Sequence, residues 1–73
     1  MARKSNAQAA RELGIHHTSM SRIRANKRLP SLRLLATMVE QWGLDPDRVL
    51  EAVRTNTLGT YLESEVLEEE STG

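Results

Sequence analysis

Between His16 and Arg28 the chain concentrates side chains that donate, accept and carry positive charge: His16, His17, Thr18, Ser19, Ser21, Arg22, Arg24, Lys27 and Arg28. Three chemistries would use such groups. A metal site would need more ligands, because adjacent histidines on a helix point about 100° apart and a tetrahedral ion takes four donors. The chain has no cysteine and only these two histidines. Nucleophilic catalysis would need an activated nucleophile, and no Ser/His/Asp set lies within reach of one another in the sequence. A phosphate-cradling glycine loop is also missing. The expectation is therefore no enzyme, no metal, no cofactor and no small-molecule substrate. What remains is recognition of an anionic surface by short polar side chains with arginines beside them.

The angular arrangement of these residues sharpens the point. With His17 at 0° and about 100° per residue, Ser21 lies near 40°, Ala25 near 80° and Thr18 near 100°. Met20 falls near 300° and Ile23 near 240°, and Ser19 near 200°. Met20 and Ile23 then face a core, while His17, Thr18, Ser21 and Ala25 face outward, flanked by Arg22 and Arg24. Such a face is shallow enough to approach another surface closely.

Four further elements must position this helix. Ser5 is the N-cap of a helix from Asn6 to about Leu13, with Ala9, Ala10 and Leu13 inward. Gly14 supplies a left-handed end, Ile15 plugs the turn, and His16 or His17 opens the next helix. A short helix, a glycine turn and a second helix with a cationic outer face is the layout of a helix-turn-helix, whose second helix enters the major groove of DNA. Asn26 suits a left-handed helix end, and Lys27-Arg28-Leu29-Pro30 is a basic loop that Pro30 closes. Ser31 caps a helix from Leu32 to Trp42, with Leu32, Leu35, Val39 and Trp42 on one stripe and Met38 beside it. Gly43 ends it. Asp45-Pro46 opens another helix with Val49, Leu50 and Val53 buried. After the Thr55-Asn56-Thr57 linker, Leu58, Tyr61, Leu62 and Val66 fit a helical stripe, although Gly59 and Thr60 leave a strand over 60–66 as an alternative. Ser71 to Gly73 are expected to fray. The fold class is all-α.

Charge divides the chain in two. Residues 1–54 carry all ten Lys/Arg and five Asp/Glu, a net +5, and residues 55–73 carry five acids and no base, a net −5. The zero total therefore conceals a basic body and an acidic tail, a pattern of nucleic-acid binders and of charged interaction tails. Seventy-three residues make a single small core. No apolar run approaches the roughly 18 residues that span a bilayer, and no signal-like segment follows Met1. A soluble cytoplasmic protein that does not meet a membrane is expected.

Residues 5–52 resemble the lambda-repressor/Cro-like helix-turn-helix family. The resemblance lies in Ala10, Leu13-Gly14-Ile15, Met20-Ser21-Arg22-Ile23, Asn26-Lys27-Arg28, Pro30-Ser31-Leu32, Leu34-Leu35, Gly43-Leu44 and Asp47 to Leu50. It implies base-reading residues at His17, Thr18, Ser21 and Arg22, the face also reached from the helical angles. It implies phosphate contacts near Asn6, Ser19, Lys27 and Arg28. The corresponding function is a small transcriptional repressor of phage or prophage type, acting in a bacterial cell or phage-infected host. It would bind a pseudo-palindromic double-stranded operator as a homodimer. The alternative is an antitoxin-like interaction module whose acidic segment engages a protein partner.

Two departures from the family shape the remaining expectations. Members usually carry a first helix before the position of Ser5, where this sequence has only Met1 to Lys4, and Ala9 stands where a large aliphatic is common. The uncovered apolar surface needs another cover. The expected domain layout is thus a DNA-binding unit over 1–54 and an acidic extension over 55–73. Leu58, Tyr61, Leu62, Val66 and Leu67 of the extension would pack on the core of their own subunit or across a two-fold. Glu68 to Glu70 would stay in solvent, with the acids kept away from the His17 face because they would repel phosphate.

Overall fold

The computed structural model describes residues 3–69; Met1, Ala2, Glu70 and the Ser71 to Gly73 end lie outside them. Five helices form one all-α body: α1 (Asn6–Leu13), α2 (His17–Arg24), α3 (Leu32–Trp42), α4 (Pro46–Arg54) and α5 (Leu58–Glu65). The starts are written in the local chemistry. Ser5, Ser31 and Asp45 each accept a backbone N–H of the first turn, and Pro46 occupies the first helical position, where its missing N–H costs nothing. Gly14 and Gly43 end α1 and α3 at φ of 70° and 63°, the left-handed conformation that glycine adopts freely. Asn26, at φ 62°, turns the chain after α2.

The core gathers one face from every helix. Met20, Ile23, Met38, Leu62 and Leu67 are its largest fully buried side chains, joined by Ala9, Ala10, Leu13, Leu35, Val49, Ala52, Leu58 and Val66. Residues 58–67 therefore cover the core of their own chain. The strand alternative for 60–66 gives way to α5, and only Leu67 makes a parallel bridge, to Lys4. That bridge clasps the two ends of the described chain: Lys4 donates to the Val66 carbonyl at 2.9 Å and Glu68 donates to the Lys4 carbonyl at 2.8 Å. Arg3 extends the clasp by donating to the Glu63 and Ser64 carbonyls at 2.7 and 2.8 Å, acceptors freed where α5 ends. Glu68 and Glu69 are exposed.

Two stripe assignments are corrected. Leu32 is 78% exposed and Leu50 is 59% exposed, so neither belongs to the core. Both sit next to buried positions on the helical wheel, and a spacing argument draws the apolar sector wider than the neighbouring helices actually cover. Ala52 takes the buried place on α4 instead, and Val39, Trp42, Val53 and Tyr61 are half-buried against the core.

Gly59 marks the closest helix contact. A Cβ there would fall 2.6 Å from the Ile23 carbonyl oxygen and closer still to the Arg24 carbonyl. The first turn of α5 thus rests on the backbone at the end of α2, and only a residue without a side chain allows it. The same approach lets Asn26 accept from the Gly59 N–H through Oδ1 at 2.6 Å and donate to Thr60 Oγ at 3.2 Å. Thr57, at the start of α5, makes no side-chain cap bond, so Asn26 caps the helix from across the fold. Gly59→Ala should lower unfolding free energy by about 1–3 kcal/mol, the usual cost of overpacking a tight contact. Urea denaturation measures it, and a midpoint equal to wild type would show that the helices can part without penalty.

Glu12 ties α1 to α3 and to the N-terminal segment. It accepts from Trp42 Nε1 at 2.8 Å, from Lys4 Nζ at 3.1 Å and from Gln8 Nε2 at 3.1 Å. The Trp42 and Lys4 bonds favour the anion and hold its pKa below the ordinary 4.5, against the opposing effect of partial desolvation. A carboxylate lowered on folding contributes stability above its unfolded pKa and loses it as pH falls through the folded value. Melting temperature should therefore drop on acidification from about pH 4.5 downward, and Glu12→Gln should shallow that drop. Parallel melting curves for the two proteins across the acid range would assign the sensitivity to other carboxylates.

Candidate nucleic-acid interface

The candidate interface is built on α2. His16 is its N-cap: Nδ1 accepts from the Thr18 N–H at 3.1 Å, which satisfies one of the first-turn donors of α2. Its ring lies 4.3 Å from that of His17 at a tilt of 31°. His16 thereby has a role the helical-wheel argument left open, while His17, Thr18, Ser21, Arg22 and Ala25 are exposed along α2 and its C-cap. Met20 and Ile23 hold the opposite face in the core at 0% and 1% exposure. Those two anchors determine which side chains of α2 reach solvent, since a rotation of one residue step would bring polar atoms into the apolar interior.

Four positions implied by the resemblance as phosphate contacts fall into two groups. Ser19 and Arg28 sit together on one margin, and Lys27 precedes Arg28 in the loop. Ser19 is half-buried and its Oγ accepts from Arg28 Nη1 at 3.1 Å, which holds the guanidinium beside α2. Lys27, Arg28, Arg22 and the nearby Arg33 are exposed. Asn6 lies at the other margin, half-buried at the start of α1, with both ends of its amide engaged: Oδ1 accepts from Arg24 at 2.8 Å and Nδ2 faces Ser21 Oγ at 3.4 Å.

Arg24 departs from the expectation that it flanks the outer face as a free cation. It is 6% exposed. Its wheel position, about 20° from His17, does point toward that face, but α5 and the segment after it lie over the side chain. Nη1 donates to Asn6, and Nη2 donates to the Glu63 carboxylate at 3.4 Å and to the Glu68 carbonyl. Nε is buried without a partner. A buried guanidinium requires such a set of acceptors, because desolvating it unpaired would cost several kcal/mol. Here they come from α1, α5 and the tail together.

The arrangement also corrects the expected placement of the acids. Glu63 does not stay away from α2 but reaches its edge, drawn there by Arg24. The exposed face is thus bordered by cations on the Ser19 side and by the neutralised Arg24 cluster on the other. Among the described residues, no group of three His, Cys, Asp or Glu is placed to hold a metal ion, and no helix is long and apolar enough to cross a membrane.

No protein-family model matches this chain, and neither a curated protein nor a solved structure is significantly similar to it.

The contrast between the two arginines is measurable in the isolated protein. Arg22→Ala should leave stability within about 0.5 kcal/mol, as for an exposed residue. Arg24→Ala should cost about 1–3 kcal/mol through lost hydrogen bonds and packing. Equal urea midpoints for the two variants would remove Arg24 from the structural role given to it.

Proposed function

We propose that the chain is a sequence-specific binder of double-stranded DNA that acts as a small transcriptional repressor, with α2 as its reading helix. The observation that carries the reading is the face of α2 itself. His17, Thr18, Ser21 and Arg22 point outward from a helix anchored by two buried residues, with Lys27, Arg28 and Arg33 exposed nearby. A helix about 10–12 Å across fits the major groove of B-DNA. Short side chains let it enter deeply, and Arg22 has the fork that pairs with guanine O6 and N7. Lys27 and Arg28 grip phosphate and carry no sequence information.

An operator with two-fold symmetry, read by two copies with their α2 helices about 34 Å apart, suits a protein of this size. Leu58, Leu62, Val66 and Leu67 are committed to the chain's own core, so contact between copies falls to another part of the surface. In the antitoxin-like alternative a protein partner would meet the acidic residues of the segment, and Glu65, Glu68 and Glu69 are exposed, while its apolar side is taken up by the core.

The test is selection of bound fragments from random DNA, followed by affinity measurements on the enriched site. Arg22→Ala should reduce discrimination between that site and scrambled DNA by about 1–3 kcal/mol. Replacing Lys27 and Arg28 together by alanine should weaken both affinities alike and flatten the slope of log K against log salt by about 0.9 per lost contact. No enriched sequence, or a salt slope near zero, would overturn the proposal.

A further inference from the structure

The network at the margin of α2 determines which way a hydroxyl on its outer face can bond. Arg24 offers only donors, so the Asn6 atom facing it at 2.8 Å must be the carbonyl oxygen. The NH2 group of the same planar amide is then turned toward Ser21 Oγ, 3.4 Å away. Arg24 cannot yield, because it is buried and fastened at its other side by Glu63 and the Glu68 carbonyl. The Ser21 oxygen therefore accepts the Asn6 N–H on one lone pair, so its own O–H cannot point toward Asn6 and is turned away from it. Thr37 and Thr55 spend their hydroxyl protons on the carbonyl four residues earlier. Ser21 shows no such back-bond, and it is exposed.

We propose that Asn6, oriented by Arg24, is a positioning residue that fixes Ser21 as a hydrogen-bond donor toward DNA, so that this position reads an acceptor edge. The inference rests on α2 being the reading helix. In the major groove the acceptors are guanine O6 and N7, adenine N7 and thymine O4, whereas cytosine presents the N4 amino donor. Ser21 by itself would accept either, since a free hydroxyl rotates to suit its partner. With its polarity set from inside the fold, it favours guanine or thymine over cytosine at the base it meets.

Asn6→Asp reverses the logic without changing shape. The aspartate keeps an oxygen for Arg24 but presents a second oxygen, not an NH2, to Ser21. The Ser21 hydroxyl then donates inward and shows a lone pair to the DNA. The experiment is fragment selection with full-length wild type, Ser21→Ala and Asn6→Asp, each checked for a cooperative thermal transition. Ser21→Ala identifies the base concerned as the position whose preference it flattens. There wild type should favour guanine or thymine over cytosine by about three- to tenfold, the range of one net hydrogen bond, and Asn6→Asp should move the preference toward cytosine. A uniform loss of affinity is also expected from the added negative charge, and it does not bear on the base ratio.

Identical base ratios for wild type and Asn6→Asp, with Ser21→Ala changing one position, would overturn the inference while leaving DNA reading intact. So would a Ser21→Ala profile that matches wild type at every position. If wild type enriches no sequence, the DNA-binding proposal itself fails. Should Asn6→Asp unfold, Asn6→Ala supplies the comparison: it frees the hydroxyl, and a guanine or thymine preference that survives undiminished counts against the inference.

Discussion

The close seating of α5 on the end of α2 is the constraint on which the other features depend. Gly59 permits backbone to meet backbone there, and Asn26 converts the proximity into a cap for α5. The contact places Leu58 and Leu62 in the same core as Met20 and Ile23, and it carries the chain on to where Glu63 and Glu68 can surround Arg24. A short helix such as α2, only eight residues long, has little stability of its own. Its orientation is supplied by what presses on its inner face.

The same packing reconciles the opposed charges of the two parts of the chain. An acidic segment beside a surface proposed to meet phosphate would ordinarily be a liability. Here Glu63 meets Arg24, and the Arg3 guanidinium lies against the Glu63 and Ser64 carbonyls. Part of the acidic charge is thereby answered within the fold, while Arg22, Lys27, Arg28 and Arg33 stay exposed. The ends of the described chain are held both by backbone pairing and by the Arg3 guanidinium.

The proposed reading surface is connected inward. Asn6, Arg24, Glu63 and the Glu68 carbonyl form a path from the C-terminal segment to the hydroxyl of Ser21. An arginine that the wheel assigns to the outer face instead stiffens that face from behind. In a domain with so few residues, one side chain can serve the core and the site at once.

Much of the fold was legible in the residues because it depends on chemistry within a few positions. Ser5, Ser31 and Asp45 caps, glycine ends at Gly14 and Gly43, and the proline at 46 mark helix boundaries through bonds that span one turn. The outward set His17, Thr18, Ser21 and Arg22 followed from the period of the helix once Met20 and Ile23 were taken as inward. What the residues alone could not decide depends on which element lies alongside. Leu32 and Leu50 sit at the edge of their stripes, and only the positions of neighbouring helices tell an edge from a core. Gly59 reads as a helix weakener until a second backbone is found against it. Arg24 reads as a surface cation until α5 and the segment after it close over it, because burial is a property of the whole fold, whereas angular position belongs to one helix.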